Sequence, residues 1–260
     1  MKKIILIAVA AVLVIIGVGL ILFEPVSNEV GKQEAHKLVD EFEDIIAQAE
    51  ENSSKAEKKN VKKDESSASS AYTPSYYAEP GKPTRESLKR LLEDSRRYNE
   101  KLVSNQGTVK TSNYKKAALD LKKYGITSNI YCYVSAPKIG MKLPVYLGAS
   151  DSTLSSGAAH LSNTSLPVNQ KNTNCVIAGH TGYIGRTYFD NIRSLSSGDT
   201  VTIRNYSQTI NYKVIKKKRI KPDDTSNLYI EYGRQLLTLF TCIRNDKGDW
   251  DRLIVICEKK

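Results

Sequence analysis

The chain has 260 residues, 40% of them hydrophobic and 26% charged, with 39 Lys and Arg against 28 Asp and Glu and a formal net charge of +11. That length fits one large domain or one domain with an appendage, and the charge content argues against wholesale disorder and against a multi-span membrane protein. Four cysteines are too few for a disulfide scaffold, and no pair has the Cys-x-x-Cys spacing of a zinc knuckle or redox motif. The basic excess is concentrated late: residues 126–260 carry 18 basic and 10 acidic side chains, whereas residues 24–125 carry 19 and 18.

Ile4 to Phe23 is a run of 20 residues without a charge, enough at 1.5 Å rise per residue to cross a hydrocarbon core of ~30 Å. Secretory signals have apolar stretches of only about 7 to 15 residues, so an uncleaved transmembrane anchor is expected. Lys2 and Lys3 precede the run, and Glu24 and Glu29 follow it. Basic residues stay on the cytoplasmic side, which places the rest of the chain outside the cytoplasm and argues against nucleic acid as a partner.

Across residues 29–50, Ala35, Leu38, Val39, Phe42, Ile45, Ile46 and Ala49 recur with the spacing of an amphipathic helix. Glu51 to Tyr77 is rich in Ser, Lys, Glu and Ala and buries too little apolar surface to offset ordering, so it reads as a flexible spacer. After Pro80 and Pro83, Thr84 can cap a helix over Arg85 to Leu102 with Leu88, Leu91, Leu92, Ser95, Tyr98 and Leu102 on one face. A shorter helix is expected over Tyr114 to Tyr124. Beyond Gly125 come short β-rich runs punctuated by Gly and Pro: Ile130–Ala136, Lys142–Leu147, Asn174–His180, Thr200–Arg204, Thr209–Ile220, Gln235–Cys242 and Arg252–Cys257. Such a series suggests a barrel or sandwich. The chain thus divides into an anchor (1–24), a membrane-proximal helix and spacer (25–84), a helical extension (85–125) and a β domain (126–260). Within the β domain, Lys216, Lys217, Lys218, Arg219 and Lys221 form the densest basic run. It reads either as a strand edge guarded against pairing or as a patch for an anionic polymer or membrane surface.

Three segments can carry chemistry. Cys175-Val-Ile-Ala-Gly-His180 is an apolar strand ending in an imidazole, Thr238-Leu-Phe-Thr-Cys242 is one ending in a thiol, and Trp250-Asp-Arg252 opens the last strand with a guanidinium. Thiol, imidazole and fixed cation are what cysteine acyl transfer requires: the thiolate attacks a carbonyl, the imidazole moves protons, and the cation stabilises the oxyanion. Singly each has a plain structural reading, since a strand-end Cys is commonly buried and inert. His160 reads as structural and His36 as solvated. Cys132, Cys175 and Cys257 lie in apolar strands as small core residues, or, outside the cytoplasm, as partners in a disulfide.

Taken in order, the Ala-Gly-His strand, the Thr-Leu-x-Thr-Cys strand and an Arg ten residues later resemble the sortases, membrane-anchored cysteine transpeptidases of Gram-positive bacteria. The resemblance runs from about Ile130 to Cys257 and includes Pro137-Lys-Ile139, Leu143-Pro-Val-Tyr146, Gly157 to Pro167 and Gly198-Asp199. It implies a mainly β fold, an eight-stranded sortase-type barrel with short helices, preceded here by N-terminal helices and the transmembrane helix. It also implies that Cys242 attacks the Thr-Gly bond of an LPxTG-like sorting signal, that His180 is general acid/base, and that Arg252 holds substrate or oxyanion. Thr238, Phe240 and Thr241 are then expected beside the substrate. The acyl-enzyme would be resolved by an amine, either of a peptidoglycan precursor in surface-protein attachment or of a pilin lysine in pilus polymerisation. Arg97-Tyr98-Asn99-Glu100 and Pro222 to Ser226 look like class C members, yet Lys101 to Asn129 contains no proline and so lacks that class's Asp-Pro-aromatic lid motif. An open cleft is therefore expected. No acidic cluster has calcium-loop spacing, so neither metal nor cofactor is expected. The remaining alternative is a non-catalytic membrane-tethered binding module in which Cys242 is structural.

Overall fold

The computed structural model describes residues 2–61, 78–105, 114–183 and 185–260. Eight strands form a closed barrel: β1 (Ile130–Ala136), β2 (Met141–Leu147), β3 (Ala158–His160), β4 (Thr173–Ala178), β5 (Thr200–Asn205), β6 (Thr209–Ile220), β7 (Gln235–Arg244) and β8 (Trp250–Glu258), in the order β1-β2-β3-β4-β7-β8-β6-β5. The barrel expected from the resemblance is thus present. β3 escaped the sequence reading because three residues are too few to show a period of two. Its pairing, parallel to β2 and antiparallel to β4, closes the wall.

Alternation sorts the side chains. Cys132, Val134, Val145, Leu147, Cys175, Ile177, Val201, Ile203, Tyr212, Val214, Leu237, Leu239, Val255 and Cys257 fill the interior. Their neighbours on β3, β4 and β7 face outward, where Ala159, Val176, Ala178 and Phe240 gather with Leu161 and Leu228 in a second apolar cluster. β4 is buried along its whole length because both of its faces are covered. β6 pairs with β5 on one side and β8 on the other, so its basic run does not guard an edge, since a closed barrel has none. Lys217 Nζ donates to the Arg193 carbonyl at 2.5 Å, Lys218 Nζ to Asn227 Oδ1 at 2.6 Å, and Arg219 and Lys221 both approach the buried Asp251.

The apolar run and the amphipathic helix are one element, α1 (Lys2–Val61), with Pro25 inside it. From Val12 to Phe23 its large apolar side chains are exposed, and a stretch of it is long and apolar enough to cross a membrane. Farther on, Ala35, Val39, Phe42 and Ala49 are buried against the barrel. Phe42 packs on Tyr206 and Tyr133 at 4.3 and 5.8 Å between ring centroids, and Glu43 pairs with Arg204. His36, expected to be solvated, is half-buried. The spacer expected from Glu51 does not begin there, because α1 continues to Val61. Asn52 Nδ2 donates to the Pro83 carbonyl and Ser53 Oγ accepts from Arg85 N, each at 2.9 Å, which ties the end of α1 to the next helix. The rest of the expected spacer, 62–77, lies outside the described residues.

α2 (Arg85–Ser104) begins at Thr84, whose hydroxyl accepts from Ser87 N while Ser87 Oγ accepts from Thr84 N. Asn99, buried in this helix, holds residues 166–170: its Nδ2 donates to Leu166 O and Gln170 Oε1, and its Oδ1 accepts from Leu166 N. Tyr98 Oη accepts from Asn163 N. The Tyr-Asn pair is therefore a clamp between helix and barrel. The helix expected over Tyr114 to Tyr124 is reduced to a single 3-10 turn, Leu121–Lys123. Tyr114 O is taken instead by Ala149 N at 2.7 Å and by Ser162 Oγ, which draws the segment out flat across the barrel end. A short helix, α3 (Asp151–Ser156), follows β2.

Candidate active site

β4 and β7 run parallel with Ala178 opposite Phe240, and Gly179 N continues the ladder by donating to Phe240 O at 3.1 Å. His180 and Cys242 each follow this last pair by two residues. On the other side β7 and β8 are antiparallel with Cys242 opposite Arg252, and β6 places Ile220 opposite Arg252. Because Leu239, Ile177 and Leu253 belong to the interior cluster, Cys242, His180 and Arg252 all project to the outer face. There they lie at the end of the apolar surface formed by Val176, Ala178, Leu161, Leu228 and Phe240. All three side chains are half-buried, and the Arg252 guanidinium stands 5.9 Å from the centre of the Phe240 ring.

His180 is held from several sides. A Cβ at Gly179 would stand 2.7 Å from the Phe189 ring, so glycine is required for strand and ring to approach this closely. Phe189 N donates to His180 O at 2.9 Å. The imidazole stacks on Tyr183 with centroids 5.4 Å apart and planes 16° from parallel, and Asp190 Oδ1 accepts from Gly182 N at 2.6 Å. Tyr183 had escaped the sequence reading. Its signal was present in the Thr-Gly-Tyr that follows His180, but a turn tyrosine shows no periodicity that announces a stacking partner.

Of the residues expected beside the substrate, Phe240 lines the outer surface, whereas Thr238 and Thr241 are buried. Thr241 points inward, its hydroxyl donating to Gly179 O at 2.6 Å and meeting Thr181 Oγ1 at 2.7 Å. It braces β7 against the strand that carries His180. Thr238 Oγ1 donates to Asn174 Oδ1, and Asn174 Nδ2 donates to the Asn227 and Tyr229 carbonyls. This relay holds the β6–β7 loop, with Leu228, over the outer face. Tyr114 packs against the same cluster, so the cleft expected to be open has a tyrosine at its margin.

All four cysteines are free thiols, and only Cys242 is not buried. Burial raises the Cys132 and Cys175 thiols well above their ordinary range and pushes Cys257 up to about 12. Only the thiolate reacts, so a thiol-selective alkylating agent at neutral pH should add one label to the native protein and four to the denatured one. Intact-mass measurement checks this, and a native Cys242→Ala variant that still takes a label contradicts it. Among the described residues no three His, Cys, Asp or Glu side chains converge to hold a metal.

Comparison with known proteins agrees with this fold. The Sortase domain family model matches residues 134–260. Sortase D of Bacillus subtilis is 28% identical over 106 residues, covering 41% of this chain and 50% of that protein. Sortase A of Staphylococcus aureus is 32% identical over 131 residues, covering 48% and 62%. The chain therefore matches between half and two thirds of the length of these relatives. Among solved structures, the pilus-related sortase C of Group B Streptococcus has a TM-score of 0.58 at 32% identity, covering 69% of this chain and 92% of that one. Sortase C of Clostridium perfringens has a TM-score of 0.55 at 27%, covering 68% and 91%. The closed eight-stranded barrel carries a thiol, an imidazole and a guanidinium on its outer face. The chain belongs to the sortase family.

Proposed function

We propose that the chain is a membrane-anchored sortase that cleaves an LPxTG-like sorting signal between Thr and Gly and passes the acyl group to an amine. The observation that carries this reading is the placement of Cys242, His180 and Arg252 on one outer face, at the end of an apolar surface suited to the Leu and Pro of such a signal. His180 takes the thiol proton and Cys242 Sγ attacks the Thr carbonyl carbon. The C–N bond to Gly then breaks as His180 returns the proton to the departing amine. Arg252 donates N–H bonds to the oxyanion formed between these steps. The incoming amine opens the thioester and gives its proton to His180, which restores the Cys242 thiol.

In this reading residues 1–24 anchor the chain as a single-pass protein of the cell membrane, with Lys2 and Lys3 inside and the barrel, 126–260, outside. Residues 25–84 and 85–125 connect the two, and the basic β6 stretch faces anionic head groups and cell-wall polymers. The acceptor is the amine of a peptidoglycan precursor, and the result is attachment of surface proteins to the cell wall. A second reading, polymerisation of pilins through a pilin lysine, is favoured by the likeness to the pilus-related sortase C of Group B Streptococcus. Incubation of the full chain with a sorting-signal peptide, plus either oligoglycine or a lysine-bearing pilin domain, separates the two. The expected result is release of the Gly-terminated fragment, a thioester on Cys242 seen by intact mass, and transfer to one of the amines. An intact peptide and an unmodified Cys242 would overturn the transpeptidase reading.

A further inference from the structure

α1 contains Gly17, Gly19 and Gly31. A Cβ at Gly17 or Gly19 would meet nothing within 4 Å, but at the buried Gly31 it would stand 2.2 Å from the carbonyl oxygen of Gly185. Glycine inside a helix costs about 1 kcal/mol relative to alanine, so at position 31 it needs a local reason, and contact of two backbones supplies one. The opposing residue is constrained too. Gly185 has φ +82°, and a Cβ there would stand 2.5 Å from Ser27 Oγ, one helical turn before Gly31. Beside this contact the Arg186 guanidinium pairs with Glu34, one turn after Gly31.

The loop that α1 touches is the one leaving His180. Gly185 follows His180 by five residues, and Tyr183, between them, is stacked on the imidazole. Tyr183 also leans on Tyr188 at 5.8 Å, whose hydroxyl donates to Ser155 O. A cavity of about 140 Å³, lined in part by Lys32, Met141, Leu143, Arg186 and Tyr188, lies behind the loop and leaves room for it to shift. Meanwhile α1 is fixed on the barrel independently, through Val39, Phe42 and Ala49. Gly31 lies eight residues beyond Phe23, where the uncharged run ends, a distance of about 12 Å along the helix.

We infer that Gly31 and Glu34 of α1 are positioning residues for His180: the anchor helix sets Gly185 and Arg186, whose N–H donates to Tyr183 O, and through the Tyr183 stack it sets the imidazole. This inference rests on the proposed role of His180 in acyl transfer. The same helix then carries the anchor, so the loop is fixed close outside the membrane-crossing stretch.

The test uses the full chain in detergent micelles. Helix propensity alone makes Gly31→Ala stabilising, and the contact makes it disruptive at the loop. Gly31→Ala is expected to lower kcat for peptide cleavage by about tenfold or more with KM little changed, and to hasten tryptic cleavage after Arg186, read by mass mapping. Gly17→Ala should do neither. Glu34→Arg and Arg186→Glu should each lower kcat, and the double exchange should restore most of it, which a merely structural role would not produce. Wild-type kcat and an unchanged tryptic pattern in Gly31→Ala would overturn the inference. So would a double exchange no better than its parents, which stands as the test even if Gly31→Ala fails to fold. If the wild-type chain turns over no peptide, the transpeptidase reading fails. The contact is then judged by proteolysis alone: faster cleavage at Arg186 in Gly31→Ala supports it, and unchanged cleavage rejects it.

Discussion

Cys242→Ala is expected to abolish turnover of a sorting peptide, by roughly 10⁴-fold or more, while the protein stays folded. Both halves follow from where the side chain sits. Cys242 is half-buried on the outer face, outside the barrel interior, so removing its sulfur leaves no interior cavity and costs little stability. The three other thiols cannot substitute, since each is enclosed in the interior cluster. Arg252→Lys retains the charge but loses the fork that can hold an oxyanion with two N–H bonds, and the expected loss is on the order of 10²-fold. His180→Ala should fall between these. The competing view, a tethered binding module with a structural Cys242, predicts instead that Cys242→Ala behaves as wild type in every assay. Steady-state kinetics beside a thermal melt separate the two, and full activity in the alanine variant would sink the nucleophile assignment.

What could be read in the sequence follows from how local each signal is. Ile130–Ala136 and Thr209–Ile220 have the bounds expected of them, because each is β-branched or aromatic and ends at a turn. That Cys242, His180 and Arg252 share a face could be counted in twos along each strand. How the three ends are brought together could not, because the pairing of Ala178 with Phe240 across a parallel pair depends on β4 and β7 being neighbours, although Phe240 lies 62 positions after Ala178. The inward turn of Thr241 was available from the same count, since it alternates with Phe240 and Cys242. The continuation of α1 past Glu51 was not available: two side-chain bonds, from Asn52 and to Ser53, hold a segment with few apolar residues. Tertiary contact here outweighs composition. Likewise the segment after Tyr114 has helix-forming residues, but its first carbonyl is claimed by β2's following turn.

Below neutral pH, His160 makes a large pH-dependent contribution to stability. Its ring is 1% exposed, and Nε2 lies 3.2 and 3.1 Å from the Thr164 and Ser165 carbonyl oxygens. Carbonyls only accept, so Nε2 carries the proton of the neutral ring. Nδ1 is buried without a partner among the described residues, and a second proton would place an unsatisfied donor there. Burial therefore dominates the two carbonyl bonds and lowers the pKa from 6.5 to about 4. Above pH 6.5 the ring is neutral in both folded and unfolded chains, and stability is complete. As the pH falls from 6.5 toward 4 the unfolded chain binds a proton that the native chain refuses, so stability drops by about 1.4 kcal/mol per pH step. Below pH 4 the native ring protonates too, and the loss levels off at about 3 kcal/mol. Carboxylates such as Asp199, held low by its bond to Lys138, add their own loss in more acid solution, so the difference between two proteins is the clean measure. His160→Gln can still donate to a carbonyl but does not titrate. Urea midpoints from pH 7 to 4.5 should slope steeply for the wild type and much less for the variant. Parallel slopes would mean that the imidazole is protonated in the native barrel, and that its buried nitrogen finds an acceptor when the pH falls.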